Sequence, residues 1–258
     1  MYLAIPPQPD CATAWLAAAE AVYACRGREA YNVVIDVADP VANTQRSNPI
    51  IGRVECYLNE HDTSVFKVAN TIFPQAIYET HGAPEFFDVF HQKLLPKVRK
   101  NERWSGYYFE RMTHYRDRYS DPAANRNPLW EIIVRIRNPA VTALNKYELV
   151  IFDPERDVDL SPYGGQCLSF VSFKIQDGDK RRIALTAIYR NQYYIEKLLG
   201  NLIGLGRVLA FVAKETGLDV GALTIISTHA EIDPKGGMRA VGELLKACRT
   251  PPATAVQS

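Results

Sequence analysis

Apolar residues recur at three- and four-residue steps through Ile195, Leu198, Leu199, Leu202, Leu205, Leu209 and Val212, which predicts a long buried helix over 192–215 ended by Gly217. An Ala-rich segment at 11–25 repeats with the same period and predicts a first helix. YNVVID (31–36) reads as a strand stopped by the turn-forming Asp39-Pro40, and 50–60 is compatible with helix or strand. SVFKVANTIF (64–73) is expected to be extended, leading into a helix near Pro74, and 84–99 forms an amphipathic helix. Further on, ELVIF (148–152), CLSFVSFKI (167–175), RRIALTAIYR (181–190) and GALTIIS (221–227) read as strands, the second and third joined as a hairpin by QDGDK. A last helix is expected at 237–248. The polar, aromatic stretch 112–128 reads as a long loop.

No Ser/Gly-rich or charge-rich linker divides the 258 residues, so a single domain over 1–258 is expected. A formal charge of +1 leaves no net field to concentrate the chain on nucleic acid or an anionic membrane, so neither is expected as a partner; a small anionic ligand is compatible with it. Apolar runs are broken by charges and the start MYLAIPPQPDC lacks a basic region and a long apolar run, so neither a membrane span nor a signal peptide is expected. Five cysteines, Cys11, Cys25, Cys56, Cys167 and Cys248, are scattered with no CxxC pair, and the histidines have no metal-ligand spacing. A reducing cytoplasm is the expected setting, with neither a disulfide framework nor a metal site.

The chemistry concentrates in the second half. FDPERD (152–157), GGQCLSF (164–170), YRNQYYIEKLLGN (189–201) and TGLDVGALTIISTHAEID (216–233) resemble, in order and spacing, the core of thymidylate synthases and pyrimidine nucleotide hydroxymethylases. The resemblance is good over about the last hundred residues and poor over the first hundred. It implies an α/β (α+β) fold with a mixed, largely antiparallel sheet, a long buried helix and a homodimer formed through the sheet. It further implies a cysteine thiolate that adds to C6 of a pyrimidine nucleotide, so that C5 attacks a one-carbon unit carried by 5,10-methylenetetrahydrofolate.

Within that resemblance Cys167 takes the nucleophile's place, preceded by Gln166 as a substrate contact; on residue type alone, a small buried side chain is the readier reading of Cys167. Arg190 matches the arginine that binds the nucleotide phosphate close to the cysteine, where it would favour the thiolate. On this basis Cys167 is expected to be the most reactive of the five cysteines. Asn201 matches the asparagine that reads the uracil ring, and Tyr108, beside Tyr107, a catalytic tyrosine.

Other positions depart from the family. Its catalytic glutamate falls at Gln75, which cannot serve as a general acid or base. The pterin-contacting aspartate falls at Tyr193 and the serine after the phosphate arginine at Asn191. The ribose-binding His-x-Tyr pair falls at Glu231 and Asp233, which either face a ligand or cap the strand end before Pro234. The partner subunit's paired arginines are replaced by NKYE around Lys146–Glu148. His229 beside this site is a ligand contact or a strand-end residue, and the glycines of GNLIGLG (200–206) are expected to let the helix pack closely on the sheet. The reading is a one-carbon transferase acting on C5 of a pyrimidine nucleotide, with standard thymidylate synthesis weak or absent. The alternatives are a folate-independent enzyme on a modified nucleotide and a non-catalytic ligand-binding protein of the same fold.

Overall fold

The computed structural model describes residues 2–99, 106–116, 125–143, 145–158 and 165–250. In chain order the elements are β1 (Leu3–Ala4), α1 (Cys11–Ala24), β2 (Glu29–Val37), α2 (Pro49–Asn59), α3 (Val65–Ile72), α4 (Gln75–His81), α5 (Glu85–Val89), α6 (Leu95–Val98), α7 (Tyr108–Thr113), β3 (Tyr115–Arg116), β4 (Asn125–Arg126), α8 (Pro128–Arg137), β5 (Glu148–Val150), β6 (Leu168–Gln176), β7 (Arg182–Tyr189), β8 (Gln192–Tyr193), α9 (Leu198–Thr216), β9 (Asp219–Glu231) and α10 (Met238–Arg249). A π-helical turn, Phe90–Leu94, joins α5 to α6, so the amphipathic segment expected at 84–99 is one helical run with an interruption.

A seven-stranded sheet in the order β1-β2-β9-β7-β6-β5, with β8 also on β9, forms the spine. β2 with β9, β6 with β7 and β5 with β6 pair antiparallel; β1 with β2, β7 with β9 and β8 with β9 pair parallel. The sheet is therefore mixed and the fold mixed α/β. Side chains alternate along β7: Ile183, Leu185, Ala187 and Tyr189 are buried, while Ala184, Thr186 and Ile188 are half-exposed. On β9, Leu223, Ile225 and Ser227 are buried in the same register. That buried face meets α9, whose residues from Leu198 through Leu205 are all buried and whose left-handed cap Gly217 (φ 70°) ends it.

Two expectations change here. Residues 64–73 are helical, because Ser64 caps α3 by accepting from the Lys67 N–H at 3.3 Å and the buried Val65, Val68, Ala69 and Ile72 fall at helical spacing. α9 begins at Leu198, later than the period suggests, because the Asp233 carboxylate takes the N–H groups of Ile195 (2.9 Å) and Glu196 and holds them in a turn after β8. The ambiguous 50–60 is α2, capped by Asn48. The stretch 112–128 carries the end of α7, the paired strands β3 and β4 and the start of α8, and its residues 117–124 lie outside the described ones, as does the tail from 251.

The α9 glycines serve a helix–helix contact rather than the sheet. A Cβ on Gly200 would lie 2.5 Å from Val68 Cβ, and one on Gly204 2.8 Å from Ile72 Cβ, so α3 crosses α9 at distances only glycine permits. α1 covers the other flank: Asp10 caps it, and the Trp15 indole N–H donates to the Tyr194 carbonyl at 2.7 Å, tying α1 to the turn that precedes α9. No helix of the described residues is long and apolar enough to cross a membrane.

Candidate functional site

The ends of β6 and β7 bring the motif residues together. Leu168 and Tyr189 are register partners at the end of the hairpin, so Cys167 and Arg190 leave the sheet side by side. The Arg190 backbone N–H donates to the Cys167 carbonyl at 2.9 Å, and its Nε–H donates to the Gln166 carbonyl at 2.9 Å. Gln166, 4 % exposed, donates in turn through its side-chain amide to the Gly106 carbonyl at 2.9 Å, so the turn that carries Cys167 is braced on both sides. The Arg190 guanidinium also lies 6.0 Å over the Phe152 ring.

Cys167 is half-buried, and burial pushes its thiol above the ordinary value; the charges of Arg190 and Lys197 pull the other way and Asp157 adds to the rise. Asp157 is brought close by Gly165 (φ 77°), where a Cβ would meet the Asp157 carbonyl at 2.7 Å. It is buried and paired with Arg111 at 2.8 Å, which keeps that carboxylate in place. Tyr108 opens α7 with its hydroxyl facing the backbone N–H groups of Cys167 and Leu168, and burial raises its phenol far above the ordinary value. Its ring stands edge-on to Tyr189, 6.3 Å between centroids.

The remaining expected residues are placed less uniformly. Asn201 is buried in the first turn of α9. Asn191, next to Arg190, shares its side-chain oxygen with His229 Nδ1 at 2.6 Å; His229 Nε2 reaches Glu29 at 3.2 Å and its ring packs 5.1 Å from Tyr31. Tyr193 is half-buried on β8 and Glu231 half-buried at the end of β9, where it is the register partner of both Tyr193 and Glu29. Asp233 is a correction to the ligand-facing expectation. Both its oxygens accept backbone N–H groups from the turn before α9, which makes it the cap of that turn; burial leaves its carboxyl above the ordinary value, with these bonds working against the rise. Gln75 is not brought to the cysteine: it starts α4, donates to Glu79 at 2.8 Å, and lines a recess with Ile203, Arg207 and Ala210, roughly two turns along α9 from Asn201. At the NKYE stretch, Glu148 pairs with Lys174 across β5 and β6.

Lys197, Asp157 and Tyr189 belong to the cysteine's surroundings but were not among the expected site residues. Alternation along β7 would have put Tyr189 on the buried face, since it keeps the parity of Leu185 and Ala187. The other two positions depend on loop geometry that local pattern does not encode. Among the described residues no group of three or more His, Cys, Asp or Glu is placed to hold a metal.

The site is thus a cysteine just before one strand of a mixed sheet, hydrogen-bonded to the arginine just after its neighbour. No family model matches the chain. It is 30% identical over 163 residues to "Putative thymidylate synthase" of Methanothermobacter thermautotrophicus, covering 57% of this chain and 69% of that protein. To the protein of the same name from Methanothermobacter marburgensis it is 32% identical over 84 residues, covering 33% of this chain and 35% of the relative. The chain belongs to the thymidylate synthase family, as a distant member.

Burial outweighs the cationic neighbours of the Cys167 thiol, so, against the expectation drawn from the resemblance, Cys167 is expected not to lead the five cysteines in reactivity in the ligand-free protein. Exposed Cys56 is expected to alkylate first at neutral pH, and Cys248, pushed up to about 11 by burial, to lag well behind it. Because the Cys167 thiol titrates above its ordinary value, its alkylation rate rises with pH into the alkaline range. Peptide mapping over a pH series checks this; a Cys167 rate that is already at its plateau at pH 7 contradicts it.

Proposed function

We propose that the chain is a thymidylate synthase-like enzyme in which Cys167 adds to C6 of a pyrimidine nucleotide and so activates C5 for transfer of a one-carbon unit. The observation that carries this reading is the junction of Cys167 and Arg190, a nucleophile and a cation fixed by two backbone-directed hydrogen bonds at adjacent strand ends. Arg190 serves two ends in this reading: it binds the nucleotide's phosphate, with Asn191 beside it, and stabilises the thiolate form of Cys167. Lys197 adds a second positive charge near the sulfur. Gln166 braces the turn and contacts the substrate, Asn201 reads the base, and Tyr108, whose raised pKa keeps it protonated at neutral pH, acts on the base as a hydrogen-bond donor. Glu231 remains the carboxylate available to a ribose hydroxyl, while Asp233 is spent on the turn before α9.

The one-carbon donor that the family implies is 5,10-methylenetetrahydrofolate, which would supply a methylene group at the oxidation level of formaldehyde. The residue at the pterin contact does not fit that group well. Tyr193 offers an uncharged phenol where a carboxylate is implied, and Gln75 offers an amide, committed to Glu79, in place of the acid. These two positions favour the second reading, a folate-independent enzyme that keeps the cysteine adduct, over standard thymidylate synthesis. A non-catalytic ligand-binding role is the third.

A homodimer is also proposed. The half-exposed face of the sheet, with Thr186 and Ile188 of β7 and Thr224 and Ile226 of β9, is suited to a second copy of the chain. Sedimentation is expected to give a dimer at micromolar concentration; a species of 29.0 kDa contradicts it.

The adduct can be tested without any one-carbon donor. Addition of the thiolate at C6 makes C5 basic; C5 takes a proton from water, and elimination then expels either C5 hydrogen along with the thiolate. Tritium at C5 of deoxyuridylate or deoxycytidylate is therefore expected to pass into water in the presence of the protein, at a rate at least about 100-fold lower in Cys167→Ala. Release from neither nucleotide, or release that survives the substitution, contradicts the assignment of Cys167.

A further inference from the structure

Two fully buried polar atoms near the cysteine have no hydrogen-bond partner, the hydroxyl of Tyr189 and the side-chain N–H group of Gln192. They terminate one local network. Tyr194 donates its hydroxyl to Ser227 Oγ at 3.1 Å, Ser227 donates to Gln192 Oε1 at 2.6 Å, and Ser227 is the register partner of Tyr189. In that chain the Gln192 side-chain oxygen is used as an acceptor, while its amide N–H and the Tyr189 hydroxyl are left without partners. Burial holds the Tyr189 phenol well above its ordinary value, and ionisation of the neighbouring Tyr108 or Cys167 would raise it further, so it carries its proton at neutral pH.

A buried donor left unmade costs about 1–3 kcal/mol, and native proteins keep few of them. Tyr189 could have been phenylalanine at no cost in packing, since its ring fills the core and stands edge-on to Tyr108 while its hydroxyl bonds to nothing in the protein. The hydroxyl is also shut off from bulk water in the free protein, and a ligand seated beside Cys167 is a source of the partner it lacks.

We propose that Tyr189 is a specificity-determining residue of the Cys167 site, donating its hydroxyl to an acceptor atom of the ring that the cysteine attacks, with the Gln192 amide as a second donor. The inference rests on the reading of Cys167 as a nucleophile toward a pyrimidine. It differs from the roles that the family resemblance implies, which fall on Tyr108 and Asn201. The Gln192 amide nitrogen can only donate, so it selects a ring edge that presents a carbonyl oxygen or an unprotonated ring nitrogen, and the Tyr189 hydroxyl adds to that preference when it donates.

The test is Tyr189→Phe, which removes one oxygen and keeps the ring. Deleting an unpartnered hydroxyl is expected to leave the melting temperature of the free protein unchanged or raise it, and to leave Cys167 alkylation by a small uncharged reagent unchanged. The kcat/KM for tritium release from the better of the C5-labelled deoxyuridylate and deoxycytidylate is expected to fall about 10-fold. Release at the wild-type rate overturns the role of Tyr189 alone, and a clear drop in melting temperature overturns it in favour of a structural hydroxyl. No release by the wild-type protein from either nucleotide overturns the nucleophile reading and this inference with it.

Discussion

The site depends on a small piece of backbone geometry. β6 and β7 are paired to their very ends, and the residue just beyond β7, Arg190, turns both its main-chain N–H and its Nε–H onto the carbonyls of the two residues just before β6. A cysteine in an irregular segment would be free to turn away; here the strand pairing decides where Cys167 sits, and the same arginine that fixes its backbone lends its charge to its sulfur. Lysine could not replace it in both respects, because only arginine has an Nε–H to donate to a carbonyl while carrying its charge on the rest of the guanidinium.

Around that junction the forces on the thiol are opposed. Burial favours the neutral form and wins in the free protein, while Arg190 and Lys197 favour the thiolate. On the proposed function, a nucleophile held in this balance stays neutral until a ligand changes its surroundings. The acidic side chains follow a similar logic: Asp157 is neutralised by Arg111, and Asp233 is consumed by backbone donors, so neither stands as a bare carboxylate against a phosphate. Glu231 and Glu29, register partners at the strand ends, are where the negative charge of this region concentrates, and His229 tempers it by contacting Glu29.

The parts of the fold that were legible in the sequence are those in which local period and tertiary burial agree. α1, the β6–β7 hairpin, β9 and the Gly217 end of α9 follow from apolar spacing and turn residues alone. α3 was misjudged because eight residues with valine and isoleucine at both strand and helix spacing are decided by the Ser64 cap and by contact with Gly200 and Gly204, more than a hundred residues away. The start of α9 was misplaced for a similar reason: Asp233, beyond β9, holds the preceding turn out of the helix. Cys167, Gln166 and Arg190 lie together as the motif led one to expect, because strand pairing joins them. Gln75 was assigned through the weaker first half of the chain and lies elsewhere, and Tyr189 could be recognised only once the hydrogen bonds around Ser227 and Gln192 were known.

The account turns on Arg190 as the group that both holds Cys167 and sets its charge, and the most direct measurement is the pH profile of Cys167 alkylation in Arg190→Gln. Loss of the guanidinium removes the leading influence that opposes burial, so the profile is expected to move to higher pH and the rate at neutral pH to fall, with the other cysteines unaffected. A profile that stays where it is, or moves to lower pH, would contradict the coupling between the two residues and with it the claim that this strand junction is the reactive centre.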